Sequence, residues 1–188
     1  MTHKIKDALN SRIRNTLPST GLVSAAILIP LLHKDNKLHI LFTKRSRWVE
    51  HHKSEISFPG GTLDRTDENH LNCVLRECEE EIGLKKNDIE VLGLLDDFKT
   101  VVTHFVITPF VGLIPYPYNF KICEREIEEI IIIPISFLTD PSNYRMDVKI
   151  ISDKVNYRIH SYYYKEHTIW GATGYILKQF LELFLEIR

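Results

Sequence analysis

Residues 58–84 read FPGGTLDRTDENHLNCVLRECEEEIGL, a Gly-Gly turn that runs through a polar loop into an acid-rich stretch. Leu71, Val74, Leu75 and Cys78 recur at helical spacing, which predicts a helix from about Leu71 to Ile82 with one apolar side. Gly83 is placed to end it, because glycine readily takes the left-handed conformation that closes helices. The acidic residues fall largely on the opposite side. Glu77, Glu80 and Glu81 stand at i, i+3 and i+4 and therefore share a face.

Three carboxylates crowded on one turn repel one another by a few tenths of a kcal/mol per pair, on the order of 0.3, even in water. A solvated surface helix tolerates that, whereas a hard divalent cation removes it. Magnesium favours oxygen ligands in octahedral geometry and keeps positions open for water and phosphate. Gly60 and Gly61 let the backbone turn sharply and approach such an ion with no Cβ in the way, so a backbone carbonyl, that of Gly60, is expected as a further ligand. Arg76 is expected to pair with a neighbouring carboxylate and fix its rotamer. No HExxH, EF-hand loop or Cys/His cluster points to zinc or calcium, so the expected ion is Mg2+ or Mn2+.

Outward from this stretch, residues 23–32 (VSAAILIPLL) and LHILFTKR, ending at Arg45, are strand-like and separated by a KDN turn at 34–36, which predicts a hairpin. Residues 46–61 read as loop. Further strands are expected at 89–98, 104–114, 129–135, 146–151 and 155–164. A short amphipathic helix opens the chain on Ile5, Ala8, Leu9 and Ile13, with Lys4, Lys6, Arg12 and Arg14 as a solvated face, and Pro18 and Gly21 end it. A closing helix from Thr168 carries Ile169, Ala172, Ile176, Phe180, Phe184 and Ile187, widened by Leu177, Leu181 and Leu185, a width that favours a homodimer. The order of elements predicts an α+β fold, an α/β/α sandwich in which a mixed β-sheet is flanked by helices.

The segment resembles the Nudix box, a glycine and a spaced glutamate followed by Arg-Glu-apolar-x-Glu-Glu-x-Gly-apolar. Gly61, Glu68, Arg76, Glu77, Cys78, Glu80, Glu81, Gly83 and Leu84 fill these places. Six residues separate Gly61 from Glu68 where the general pattern has five, a longer loop shared with the coenzyme A pyrophosphatase branch of that family. Residues 41–61 are similar to the same branch's upstream signature at Leu41, Thr43, Arg45, Ser46, Phe58, Pro59, Gly60 and Gly61. Glu50 and Ser54 depart from it, standing where the branch has arginine and glycine. TPFVGLI, EIEEIIIIPISFL and IWGATGYIL resemble the branch as well.

The resemblance implies a Nudix fold over 1–188 as a single hydrolase domain, residues 1–20 forming an N-terminal helical extension. It implies metal ions held by Glu77, Glu80, Glu81 and the Gly60 carbonyl. Glu77, Glu80 and Arg76 act in catalysis, and Gly61, Glu68 and Gly83 are structural, with Glu68 as partner of an arginine such as Arg76. Arg45 and Lys44 are expected to bind the extra phosphate of coenzyme A, and His52 to contact substrate, while His51 reads as a surface residue. Glu126 and Glu129 match acidic positions beyond the box, where a loop carboxylate assists the metal or the base, or simply faces solvent.

The implied reaction is hydrolysis of coenzyme A or acyl-coenzyme A to 3',5'-ADP and (acyl-)4'-phosphopantetheine. A broader nucleoside diphosphate hydrolase acting on ADP-ribose, NADH or sugar nucleotides is the alternative, and a non-catalytic nucleotide-binding regulator is a second. Cys73 and Cys78 read as packing residues. Burial is the expected fate of Trp48 and Trp170, with stacking on an adenine ring the other reading.

The bulk composition agrees with a small enzyme. The 188 residues are 44% hydrophobic and 26% charged, with a net charge of -1, so no whole-molecule field recruits nucleic acid or anionic lipid and the expected partner is a small nucleotide. Three cysteines without a CxxC pair, no secretory signal and no apolar run of membrane-spanning length predict a cytoplasmic protein that neither enters nor crosses a membrane.

Overall fold

The computed structural model describes residues 1–188 apart from 50, 51, 102, 153 and 154. Glu50, the charge reversal in the upstream segment, and His51 therefore lie outside the described residues.

The chain opens with α1 (Thr2–Ser11) and a hairpin of β1 (Val23–Lys34) and β2 (Lys37–Arg45). The turn residues Asp35 and Asn36 both take positive φ, the conformation tight hairpins require. Next come β3 (Ile56–Ser57), β4 (Gly60–Thr62) and α2 (His70–Ile82). The chain continues through β5 (Glu90–Leu94), β6 (Phe98–Lys99), β7 (Phe105–Leu113) and β8 (Ile127–Pro134) to the short α3 (Ile135–Leu138). It ends with β9 (Tyr144–Ser152), β10 (Val155–Tyr164), β11 (His167–Ile169) and α4 (Gly171–Glu186).

Eight strands form one mixed sheet. Its path is β3-β2-β1-β7-β5, with β4 on β1, β6 on β7 and β8 on β2. β1 and β7 run parallel from Val23↔Phe105 to Leu31↔Leu113, and the other pairs are antiparallel. A separate antiparallel sheet holds β11-β10-β9.

Successive side chains of a strand point to opposite faces, and the core divides accordingly. Ala26, Leu28, Leu32 and Leu41 pack under α2 with Cys73, Val74, Cys78 and Ile82. Ile29, Leu31, Ile40 and Phe42 pack on the other side with Ile5 and Leu9 of α1 and Ile176, Leu177, Phe180 and Phe184 of α4. Helices cover both faces, which is the predicted sandwich.

Several local expectations fail for identifiable reasons. Residues 46–61 contain β3 and the first two residues of β4, strands of two and three residues whose hydrogen-bond partners lie on β2 and β1, so no local periodicity marks them. The opening helix ends at Ser11, and Ile13 is 98% exposed. Beyond it Arg12 and Arg14 pair with Asp96 and Asp97, and the backbone N–H groups of Asn15 and Leu17 donate to the same two carboxylates. Arg12 and Arg14 are thus a clasp, while Lys4 and Lys6 keep the solvated face. Ile169 belongs to β11, not to the last helix. Most of the apolar face on α4 is used inside the chain, where Gly174, Ile176, Leu177, Phe180, Leu181 and Phe184 are buried and only Leu185 of the widening leucines is exposed. That width therefore gives no support to a dimer.

Candidate active site

Asn69 caps α2 by accepting the Asn72 N–H at 2.9 Å, and Gly83 closes it with φ 67° while donating to Glu79 at 3.0 Å. Both ends being fixed, the face carrying Glu77, Glu80 and Glu81 is held against β4.

Adjacent residues of β4 receive two of these carboxylates. The Gly60 N–H donates to Glu81 Oε2 at 3.1 Å. The Glu77 carboxylate lies against Gly61 so closely that a Cβ there would sit 2.5 Å from it. Gly60 has φ 145°, and a Cβ on it would meet the Ala26 carbonyl at 2.3 Å. Each glycine is needed for its own contact: Gly60 to press on β1, Gly61 to admit Glu77.

Glu81 is 2% exposed. Burial pushes its carboxyl up to about 8, with Glu77 and Glu126 adding to the rise and the Gly60 N–H and Arg45 opposing it. Glu77 is also raised, first by burial and further by Glu80 and Glu126, against the pull of Arg76. The buried Glu81 carboxylate and the half-buried Glu77 carboxylate form a donor set of hard oxygens opposed within the chain by Arg76 and Arg45. That chemistry fits a divalent cation.

Glu80 is not aimed at the same point. It is mostly exposed and accepts from Arg76 Nη1 at 2.9 Å, as Glu77 does. Among the described residues no three His, Cys, Asp or Glu side chains already converge as a ligand cluster.

Arg76 also makes a two-pronged contact with Asp67, Nε to Oδ1 at 3.1 Å and Nη2 to Oδ2 at 2.8 Å. The guanidinium holds the Asp67 carboxyl down at about 2. Glu68, the expected partner of Arg76, instead accepts from Asn72 Nδ2 at 3.3 Å. Its neighbour takes the role because the loop folds back through Asp64, whose N–H donates to Asp67. A signal existed: with the general pattern's five residues counted from Gly61, the acidic position is Asp67.

Lys44 and Arg45, expected to act together, are separated by the alternation of β2. Arg45 shares the α2 side and lies close enough to oppose the rise of Glu81; its Nε finds no hydrogen-bond partner among the described residues. Lys44 lies on the other side, bound to Glu128 at 2.8 Å. Glu126 and Glu129 also part, Glu126 lying near enough to add to the rise of Glu77 and Glu81, Glu129 lying 3.9 Å from His167. His52 is exposed and pairs with Glu55 at 2.9 Å. Ser54 has φ 58°, a conformation that suits the glycine it replaces in the signature. Trp48 is 78% exposed and Trp170 45%, so neither is buried as expected.

Comparison with known proteins agrees with this architecture. A family profile described as NUDIX domain matches residues 22–147. An uncharacterized Nudix hydrolase NudL of Photorhabdus laumondii is 33% identical over 156 residues, covering 82% of this chain and 81% of that protein. Among solved structures, a MutT/nudix family protein from Enterococcus faecalis superposes with TM-score 0.58 at 16% identity, covering 87% of this chain and 62% of that one. The NUDIX domain of Shewanella oneidensis NrtR, solved with ADP ribose, gives TM-score 0.51 at 19% identity over 62% of this chain and 75% of that one. With the profile spanning most of the chain and its acid-rich helix seated on the paired glycines, this protein belongs to the Nudix hydrolase family.

Proposed function

We propose that the chain hydrolyses the diphosphate linkage of a nucleotide, with coenzyme A or an acyl derivative cut to 3',5'-ADP and (acyl-)4'-phosphopantetheine. The observation that carries this reading is the seating of the Glu81 and Glu77 carboxylates on consecutive glycines, Gly60 and Gly61. Glu77 and Glu81 would hold Mg2+ or Mn2+ with the Gly60 carbonyl, and Glu80 would join on turning away from Arg76. When bound, the ion supplies Lewis acidity and lowers the pKa of water beside the diphosphate.

The chain's own residues do the rest. Arg76, braced by Asp67, orients Glu77 and Glu80. Arg45 offers a guanidinium on the α2 side to a phosphate oxygen. A carboxylate, either Glu126 or Glu80 once released from Arg76, takes the proton of the attacking water, and burial of Glu77 and Glu81 leaves their charge poorly screened, which strengthens their hold on the cation that offsets the phosphate charge.

The signature over residues 41–61 supports coenzyme A. One observation favours a broader diphosphate hydrolase: Lys44, expected to help bind the extra phosphate, is turned away and paired with Glu128. A panel of coenzyme A, ADP-ribose and NADH, with products weighed by mass spectrometry in the presence and absence of Mg2+, decides between them. Preference for coenzyme A supports the finer reading, and preference for ADP-ribose or NADH replaces it. Binding without turnover on every substrate would return the regulator reading.

A further inference from the structure

The end of β2 and the start of β8 are tied together, with the residues that flank them. Ser46 N–H donates to the Glu126 carbonyl at 2.7 Å, and Lys44 bonds Glu128 at 2.8 Å. Between them lies an open hollow of about 370 Å³ lined by Ser46, Arg47, Trp48, Glu124, Ile127 and Glu128. Ile127 is fully buried, and the Trp48 N–H donates to Ser46 Oγ at 3.2 Å, which fixes the turn that presents the indole.

Exposing 78% of a tryptophan on a small enzyme leaves a large apolar ring in water. Glu124 and Glu128 line the hollow together with Arg47, so the charge there gives phosphate no advantage. A flat, uncharged ring with hydrogen-bond donors suits it: the face stacks on indole and an exocyclic amine meets a carboxylate. The hollow adjoins the acid-rich helix through the backbone, because the Cys123 N–H, one residue before the lining Glu124, donates to the Glu81 carbonyl at 2.9 Å.

We propose that Trp48 is the stacking platform for the substrate's heterocyclic base, an amino-bearing purine held in the hollow against the Trp48 indole while the diphosphate lies at Glu77 and Glu81. This rests on the nucleotide reading above and adds the residue that recognises the base.

The test uses the full chain carrying Trp170→Phe, so that Trp48 alone reports, with AMP and ribose 5-phosphate as probes. AMP should quench the Trp48 emission and ribose 5-phosphate, which lacks the base, should not. Trp48→Ala should weaken AMP binding by roughly tenfold or more, the scale of one base–aromatic stack, and Trp48→Phe should recover most of it. For a hydrolysed substrate, Trp48→Ala should raise KM and leave kcat within about twofold, the pattern of binding lost equally from ground and transition states. AMP that binds Trp48→Ala as tightly as the parent, or that leaves the emission unchanged, overturns the proposal. Hydrolysis that persists in that event leaves the enzyme reading standing. Quenching without any hydrolysis would do the opposite.

Discussion

Raising the pH should destabilise the metal-free protein, and magnesium should cancel the loss. Glu81 titrates near 4.5 in an unfolded chain and at about 8 in the fold. Between those values the folded protein holds a proton that the unfolded chain has released, so stability present below about pH 4.5 drains away as the pH climbs through 8. The full difference corresponds to roughly 5 kcal/mol, and the step from about pH 6 to 8 to roughly 2 kcal/mol. For a chain of this length that is a fall in Tm of roughly 4–8 °C. Calorimetry with a chelator present should show it, saturating Mg2+ should raise Tm more at the higher pH, and Glu81→Gln should flatten both responses while keeping an acceptor for the Gly60 N–H. A Tm independent of pH in the wild type, or a magnesium response undiminished in Glu81→Gln, would refute the reasoning.

Three other perturbations separate parts of the account. Glu77→Gln should lower turnover by at least ~100-fold with the circular dichroism unchanged, the scale of one electrostatic catalytic group. Asp67→Ala should cost roughly 2 kcal/mol at neutral pH, because Arg76 holds Asp67 at about 2 against its ordinary 3.8, and this contribution should vanish as the pH falls through that range; urea titrations at several acid pH values measure it. Asp97→Ala leaves Arg14 and the Leu17 N–H without their acceptor at a buried position. It should cost roughly 3–5 kcal/mol and free residues 12–17 to rapid amide exchange.

The sequence made the chemical helix visible because every signal for it is local: the apolar spacing, the closing Gly83 and the i, i+3, i+4 glutamates all fall within one segment. The sandwich was legible for the same reason, through long strands with clear alternation. Pairings between distant segments were not. β3 and β4 are too short to carry a period and exist through their registers on β2 and β1. Asp67 was passed over for Glu68 since a loop's course decides which carboxylate meets Arg76. Lys44 and Arg45 read as one basic pair, yet the strand's alternation sends them to opposite faces, one to Glu128 and one toward Glu81. Trp48 lies in a loop whose environment is set by Glu124–Glu128, some eighty residues along the chain, so composition alone favoured burying it.

The most direct measurement is the anomalous scattering of a crystal of this protein equilibrated with Mn2+. A manganese peak within coordinating distance of both the Glu77 and Glu81 carboxylates, beside Gly60, is the predicted result. A fully loaded crystal whose manganese lies elsewhere, with those two side chains still on Arg76 and the Gly60 N–H alone, would contradict the account.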